Sequence, residues 1–361
     1  MKIKIYFFYP NIINDGIKKT FEVYNNYLKK KYDIVLITNS EKRLVKNSKN
    51  IEIQQFKINI FKNIKFINSI LCIFKFLQNK EKKKIIFSLD DHLFLLILKL
   101  LGFNFKLILR TPNPIFNMHN KDESKFLNER GFTNKYELYL YKFADLVITY
   151  SKSNTLTLKQ VFNVKNSHHV NNYFINLKKK KIFKIKKYYN VFFIGRFVNS
   201  KDPIFFLKNL IDLSNKINIK IYLIGEGDLL AKLTDIAKEY KNKVEIIKYT
   251  KEPFEKYHRK IDLFCVTSKF DGTPNVLGEA IGYSIPCVAP KNIGLSNILL
   301  NYGKGGYLYK QGNDKSFKKV ITLAIKNYKL SLKKTNIAST QLNEFTEEKT
   351  LGKIERLISK I

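Results

Sequence analysis

The chain has 361 residues, 45% of them apolar, and sets 66 Lys and Arg against 30 Asp and Glu for a net charge of +36. That length is enough for two domains with cores of their own, and the composition excludes disordered and collagen-like chains. Three scattered cysteines, Cys72, Cys265 and Cys287, provide neither a disulfide framework nor a metal-ligand spacing, as expected of a reducing compartment.

In chain order, residues 2–9 read as a first strand and lack a signal-peptide cleavage pattern. Apolar spacing predicts a helix at 18–31 and a strand at 33–38. Helical runs near 64–78 and 93–101 alternate with strands at 85–89, 105–109 and 146–149. Residues 177–189 form a basic linker, in which 178–187 holds seven lysines and no acid. Beyond it, strands at 190–194, 220–224, 244–247, 263–266 and 286–289 alternate with helices at 205–216, 229–240, 253–260 and 274–281. Residues 342–361 again have helical spacing. Such alternation implies parallel sheets with right-handed crossovers. The expected fold class is α/β, with Rossmann-like domains at 1–176 and 190–335 and a C-terminal helical segment at 336–361.

A charge of +36 fits nucleic acid, an anionic membrane or an anionic substrate, and compositional drift toward lysine also produces it. None of the usual nucleic-acid-reading motifs is present, so no nucleic-acid partner is expected. Residues 57–84 alternate lysine with Ile, Phe and Leu. They read either as an amphipathic helix on anionic headgroups or as a surface helix with a solvated lysine face. No apolar run reaches a membrane span; 66–76 and 93–101 are short and carry Lys75 and Lys99.

The most informative stretch is 271–289, DGTPNVLGEAIGYSIPCVA. Thr273 is a plausible helix N-cap, Pro274 suits the first helical position, and 286–289 reads as the next buried strand. A glycine turn opening onto a helix N-terminus is an anion site, because free N–H groups and the helix dipole point outward. Carboxylates on either side, Asp271 and Glu279, suit hydroxyls attached to that anion, the layout of a sugar nucleotide. The blander reading is a capped crossover helix with no ligand.

This segment resembles the E-x7-E signature of glycosyltransferase family 4, retaining enzymes with the GT-B fold; Asp271 stands for the first Glu. The resemblance extends over essentially the whole chain. It implies two Rossmann-like domains facing a cleft, the first binding the acceptor and the second the nucleotide sugar, with the last helix returning to the first domain. Gly195-Arg196…Lys201 resembles the family's GR…K element, 75 residues before Asp271 when counted from Arg196. There Arg196 and Lys201 would stabilise the departing diphosphate as fixed cations. Gly225 resembles the G-x-G turn bordering the nucleotide, and Tyr249 lies where relatives contact the base. Gly272, Thr273, Asn275 and Val276 belong to the signature itself. In the first half, Gly16 maps to the loop facing the donor diphosphate. Arg110 and Asn113 follow a strand and resemble the variant ERNNP, and His119 is the nearest histidine to where relatives place one beside the reacting sugar. Asn297 stands where relatives usually carry Glu. Asp90-Asp91-His92 lacks the D-x-D spacing of metal-dependent enzymes and reads as a strand-end turn.

The resemblance thus implies metal-independent transfer of a hexose or N-acetylhexosamine from a nucleotide sugar, UDP-linked, to a glycan or lipid-linked acceptor in polysaccharide, capsule or lipopolysaccharide biosynthesis. Asp271 would hold the donor sugar's hydroxyls and Glu279 the ribose. The expected location is cytoplasmic, peripheral at the inner face of the membrane. Two alternatives remain open, a catalytically inactive membrane-associated GT-B scaffold and a basic nucleic-acid-binding protein.

Overall fold

The computed structural model describes residues 2–12, 16–40, 52–54, 65–79, 81, 84–111, 133–175, 177, 184, 186–271 and 274–361. The chain divides into two units, Met1–Asn171 with Thr350–Ile361, and Asn172–Lys349.

The first unit is built on a seven-stranded sheet: β1 (Lys4–Phe8), β2 (Asp33–Ile37), β3 (Glu52–Gln54), β4 (Ile85–Ser88), β5 (Lys106–Thr111), β6 (Leu146–Thr149) and β7 (Ser167–His169). Their order is β3-β2-β1-β4-β5-β6-β7, and every pair is parallel. Alternate residues of each strand feed two core layers. Ile5, Phe7, Leu36, Phe87, Ile108 and Ile148 pack with the helices Gly16–Leu28 and Glu347–Ile358. Tyr6, Phe8, Val35, Ile86, Leu107 and Val147 pack with Lys65–Leu77 and Leu93–Leu100 on the other face. Burial on both faces explains why these strands read as continuous apolar runs.

The second unit repeats the plan with β8 (Tyr189–Ile194), β9 (Ile219–Ile224), β10 (Val244–Ile247), β11 (Leu263–Cys265), β12 (Cys287–Pro290) and β13 (Tyr307–Tyr309). The order is β10-β9-β8-β11-β12-β13, again wholly parallel. Val191, Phe193, Ile221, Leu223 and Val288 face the helices Pro203–Leu213 and Asp314–Lys326. Phe192, Ile194, Ile224, Phe264 and Ala289 face Asn275–Gly282. Both orders are Rossmann orders, reversing between β1 and β4 and between β8 and β11, where ligands bind beyond the strands' carboxyl ends.

Several boundaries differ from the sequence expectation. The three-residue strands β3, β7 and β13, at or beside sheet edges, carry no apolar run long enough to announce them. Strand β5 continues through Arg110 and Thr111, so these residues lie in the sheet and not in the loop after it. The helix expected at 274–281 runs Asn275–Gly282, with Pro274 in the cap position and no side-chain cap bond, which corrects the assignment of Pro274 to the first helical position. The proposed cap, Thr273, lies outside the described residues. The final helical stretch is broken: a single turn at Leu342–Phe345 ends at Thr346 in extended geometry, and Glu347–Ile358 starts afresh. Helix Tyr328–Gln341 runs through position 336 and belongs to the second unit.

Candidate active site

The second unit's switch point lies between β8 and β11, and the loops leaving these strands hold Gly195, Arg196, Lys201 and Asp271 of the expected site. After β8 come Gly195, Arg196 and Phe197, then a turn to Lys201 and Asp202. Asp202 sits in the left-handed region and caps the next helix, accepting from the Phe205 N–H at 3.3 Å. After β11 come Val266, Thr267, Ser268, Lys269, Phe270 and Asp271.

The two loops are tied together. The buried Thr267 hydroxyl lies 3.0 Å from the carbonyl oxygen of Lys201 and 3.1 Å from that of Asp202. The Lys269 N–H donates to Ser200 O at 2.9 Å, and the Lys269 ammonium pairs with Asp202 at 3.3 Å. Across this seam the Lys201 ammonium donates to Asp271 Oδ2, which also accepts from Ser268 Oγ at 3.4 Å. The pair is mostly buried, the side chains being 25% and 11% exposed. Residues seventy positions apart in sequence therefore share one ion pair. Arg196 stands one residue beyond Gly195 and is exposed, with no hydrogen-bond or ion-pair partner among the described residues.

Gly225 serves packing. A Cβ there would lie 1.9 Å from the Gly195 carbonyl oxygen. The loop after β8 is stitched to the loop after β9 by Phe197 N–H to Glu226 O at 2.7 Å and Leu229 N–H to Phe197 O at 2.9 Å. The helix after this loop starts at Leu230 with Leu229 as its cap residue. Tyr249 follows the edge strand β10, two strands from the switch point, and is exposed.

Asn275 opens the eight-residue helix Asn275–Gly282, and its Oδ1 accepts from Asn172 Nδ2 at 2.6 Å. Val276 and Glu279 are half-buried on the same helix, Glu279 one turn beyond Asn275. Phe174 lies across this helix so closely that a Cβ on Gly278 would meet its ring at 2.7 Å. Gly272 and Thr273 lie outside the described residues. Asn297 closes its own loop through Asn292, donating to its Oδ1 at 2.6 Å.

In the first unit Gly16 begins the helix Gly16–Leu28. Arg110 is buried in β5, its guanidinium 3.8 Å from the Tyr150 ring centroid and 4.8 Å from that of Tyr24. Asn113 and His119 lie outside the described residues. Asp91 accepts from Asn11 Nδ2 and Ser69 Oγ, both at 3.0 Å, which ties the β1 and β4 loops together. Its neighbour His92 is buried, with Nδ1 2.7 Å from Ser88 Oγ, and burial pushes its pKa down to about 4. Among the described residues no group of His, Cys, Asp and Glu is arranged to hold a metal. Burial pushes the Cys72 thiol up to about 12 and Cys265 well above its ordinary value.

Sequence reasoning missed Thr267, Ser268, Asp202 and Lys269. The available signal was position: Thr267 and Ser268 follow the strand beside the switch point, where loops meet the ligand.

Residues 174–340 match the family model described as Glycosyl transferases group 1. Over 169 residues the chain is 28% identical to the amylovoran biosynthesis glycosyltransferase AmsD of Erwinia amylovora, covering 43% of this chain and 46% of that one. It is 24% identical over 157 residues to a Campylobacter jejuni enzyme, covering 43% and 44% of the two chains. That enzyme is named as an α-1,4-N-acetyl-D-galactosaminyltransferase acting on GalNAc-α-(1→4)-GalNAc-α-(1→3)-diNAcBac-PP-undecaprenol. The chain spans less than half the length of the curated relatives it matches. In three dimensions it is similar to HepE of Anabaena, solved in complex with UDP and glucose, at a TM-score of 0.78 and 15% identity over 99% of this chain and 100% of that one. The two parallel-sheet units are those of the GT-B fold. Residues 174–340 are thus similar to a glycosyltransferase domain, and the two units share the architecture of GT-B structures.

Proposed function

We propose that this protein is a retaining glycosyltransferase that moves a hexose or N-acetylhexosamine from a UDP-sugar to a glycan or lipid-linked acceptor in cell-surface polysaccharide biosynthesis. The observation that carries this reading is the meeting of Lys201 and Asp271 at the switch point of the second sheet. A cation for the diphosphate and a carboxylate for the sugar hydroxyls stand side by side where a Rossmann sheet receives its ligand. Arg196, one loop residue past Gly195, supplies the second cation. As the glycosidic bond breaks, negative charge grows on the leaving diphosphate, and preplaced cations stabilise it without reorganising. These cations stand in for a metal, so catalysis proceeds without one. Retention rests on the signature resemblance, with same-face attack and the leaving phosphate taking the acceptor's proton. The UDP complex of HepE and the undecaprenol-linked acceptor named for the Campylobacter relative support the choice of donor and acceptor.

The acceptor reading includes a place at an anionic membrane, at its inner face. Of the stretch 57–84, residues 57–64, 80, 82 and 83 lie outside the described residues; Lys65–Leu77 is a helix, and it turns Asn68, Ser69, Cys72, Ile73 and Phe76 inward. Its outward face carries Phe66 and Phe74, 59% and 56% exposed, rather than a row of lysines. Leu100, the last residue of the neighbouring helix, and Leu101 and Phe103 after it are also exposed. Apolar side chains in a chain of charge +36 fit a surface of anionic lipid.

The test is calorimetric titration with UDP and UDP-sugars, followed by product analysis with EDTA present. Arg196→Ala should weaken UDP by roughly 1.5–3 kcal/mol, the worth of a charge-assisted hydrogen bond. Wild-type UDP affinity in that variant removes the diphosphate assignment; loss of turnover in EDTA, restored by Mn²⁺, removes metal independence.

A further inference from the structure

We infer that Asp271 has a second role: it competes with the donor's diphosphate for Lys201 and so sets the enzyme's preference for intact donor over spent nucleotide. The inference rests on the reading of this site as a nucleotide-sugar site. The Lys201 ammonium donates to Asp271 Oδ2, so an anion that takes this cation must displace the carboxylate. The geometry around the pair holds the competitors in place. Thr267 Oγ1 lies within hydrogen-bond distance of the Lys201 and Asp202 carbonyl oxygens, and Ser268 Oγ anchors the same Asp271 oxygen at 3.4 Å. Neither charge can swing far, because both side chains are largely buried. A diphosphate that takes Lys201 therefore leaves the Asp271 carboxylate in a partly buried place without its cation, which is unfavourable.

The two possible ligands differ in what they offer in return. An intact nucleotide sugar brings hydroxyls that donate to the released carboxylate. A nucleoside diphosphate carries no sugar on its β-phosphate, and its ribose hydroxyls lie on the other side of the diphosphate. It must displace Asp271 and leave it uncompensated, beside a second negative group. Binding of donor thus exchanges one partner for another on both residues, whereas binding of product breaks the pair outright. After transfer the sugar's hydroxyls leave with the acceptor, Asp271 recaptures Lys201, and the spent nucleotide keeps only the Arg196 cation. Specificity of this kind comes from an element that opposes the wrong ligand, not from a further contact with the right one.

The experiment is calorimetric titration of UDP, GDP and ADP, with the tightest carried forward beside its monophosphate and its sugar conjugates. The proteins are wild type, Asp271→Asn, Asp271→Ala, Lys201→Met and the Asp271→Asn/Lys201→Met double variant, each with its melting temperature. Asp271→Asn and Asp271→Ala should each bind the diphosphate roughly tenfold tighter than wild type, within the range of ordinary coupling between two sites. The monophosphate should change less than about twofold, a shift too small for a coupled site. The sugar conjugate should gain less than the bare diphosphate. In the Lys201→Met background the gain should vanish, which separates partner competition from simple repulsion by a nearby charge. A folded Asp271 variant with unchanged or weaker diphosphate affinity overturns the inference, as does a gain that persists without Lys201. If wild type binds no nucleoside diphosphate at all, the donor reading itself falls and takes this inference with it.

Discussion

Adding one methyl group at Gly225 tests how the two central loops of the second unit hold the site. A Cβ on Gly225 would sit 1.9 Å from the Gly195 carbonyl oxygen and 3.0 Å from both that carbonyl carbon and the Phe197 ring. Ordinary contact begins near 3.4 Å. Gly225→Ala must therefore part the two loops by roughly 1.5 Å, and nothing flexible can absorb it because the blocking atoms are backbone. Both loops are anchored to the sheet, Gly195 N–H donating to Ile224 O at 3.0 Å and Gly225 N–H to Ile247 O at 3.1 Å. Overpacking of this kind costs about 1–3 kcal/mol, and the backbone clash places Gly225→Ala at the upper end. At about 2–4 °C per kcal/mol for a domain of this size, melting should fall by roughly 6–12 °C. The displaced loop carries Arg196 and Lys201, so the folded protein should also bind UDP about tenfold or more weakly, as misplacement by about 1 Å does at positioned sites. Urea unfolding and calorimetric titration of the same preparations measure both effects. Gly102→Ala is the control: Gly102 has φ +86° but open space around it, so strain alone should lower stability and leave nucleotide affinity unchanged. If Gly225→Ala melts and binds like wild type, the loops are not locked as described.

The buried His92 predicts an acid-side loss of stability. Its folded pKa, about 4, lies below the unfolded value, so its contribution is complete above about pH 6.5 and is lost as pH falls toward 4, by at most about 3 kcal/mol. Glu137, pushed up to about 7 by burial, works in the opposite sense: its contribution is lost as pH rises from the ordinary carboxylate range toward 7. Urea unfolding between pH 7 and 5 should therefore show a steeper acid loss in Glu137→Gln than in wild type and a flatter one in His92→Asn; identical slopes in all three reject the assignment. At the membrane, Phe74→Glu with Leu101→Glu should reduce binding to anionic vesicles, and raising salt should weaken binding of the wild type, whose surface charges are screened beyond about 10 Å at 0.1 M. Equal partitioning of wild type and variant would discard the apolar face as the contact.

Much of the architecture was legible in the chain itself, because parallel strands buried on both faces must be apolar throughout and crossover helices must recur between them. Strands β1, β6, β8 and β10 lie within a residue or two of their expected positions for that reason. The three-residue edge strands β3, β7 and β13 and the break at Thr346 were not legible, since a three-residue strand and a one-residue interruption leave no periodic signal. At the site, the residue types of Gly195-Arg196…Lys201 and Asp271…Glu279 were determined by sequence, through local patterns. Their arrangement was not. Strand order alone places the loop after β8 against the loop after β11, and only that juxtaposition lets Lys201 meet Asp271 and lets Thr267 clamp the turn between them. In the same way, the mixture of lysine and apolar residues over 65–77 leaves open which side chains turn outward, and packing of Cys72, Ile73 and Phe76 against the sheet leaves Phe66 and Phe74 exposed. A sequence states which side chains are available. Which of them share a buried space depends on contacts between residues far apart in the chain, and those contacts exist only once the sheets have formed.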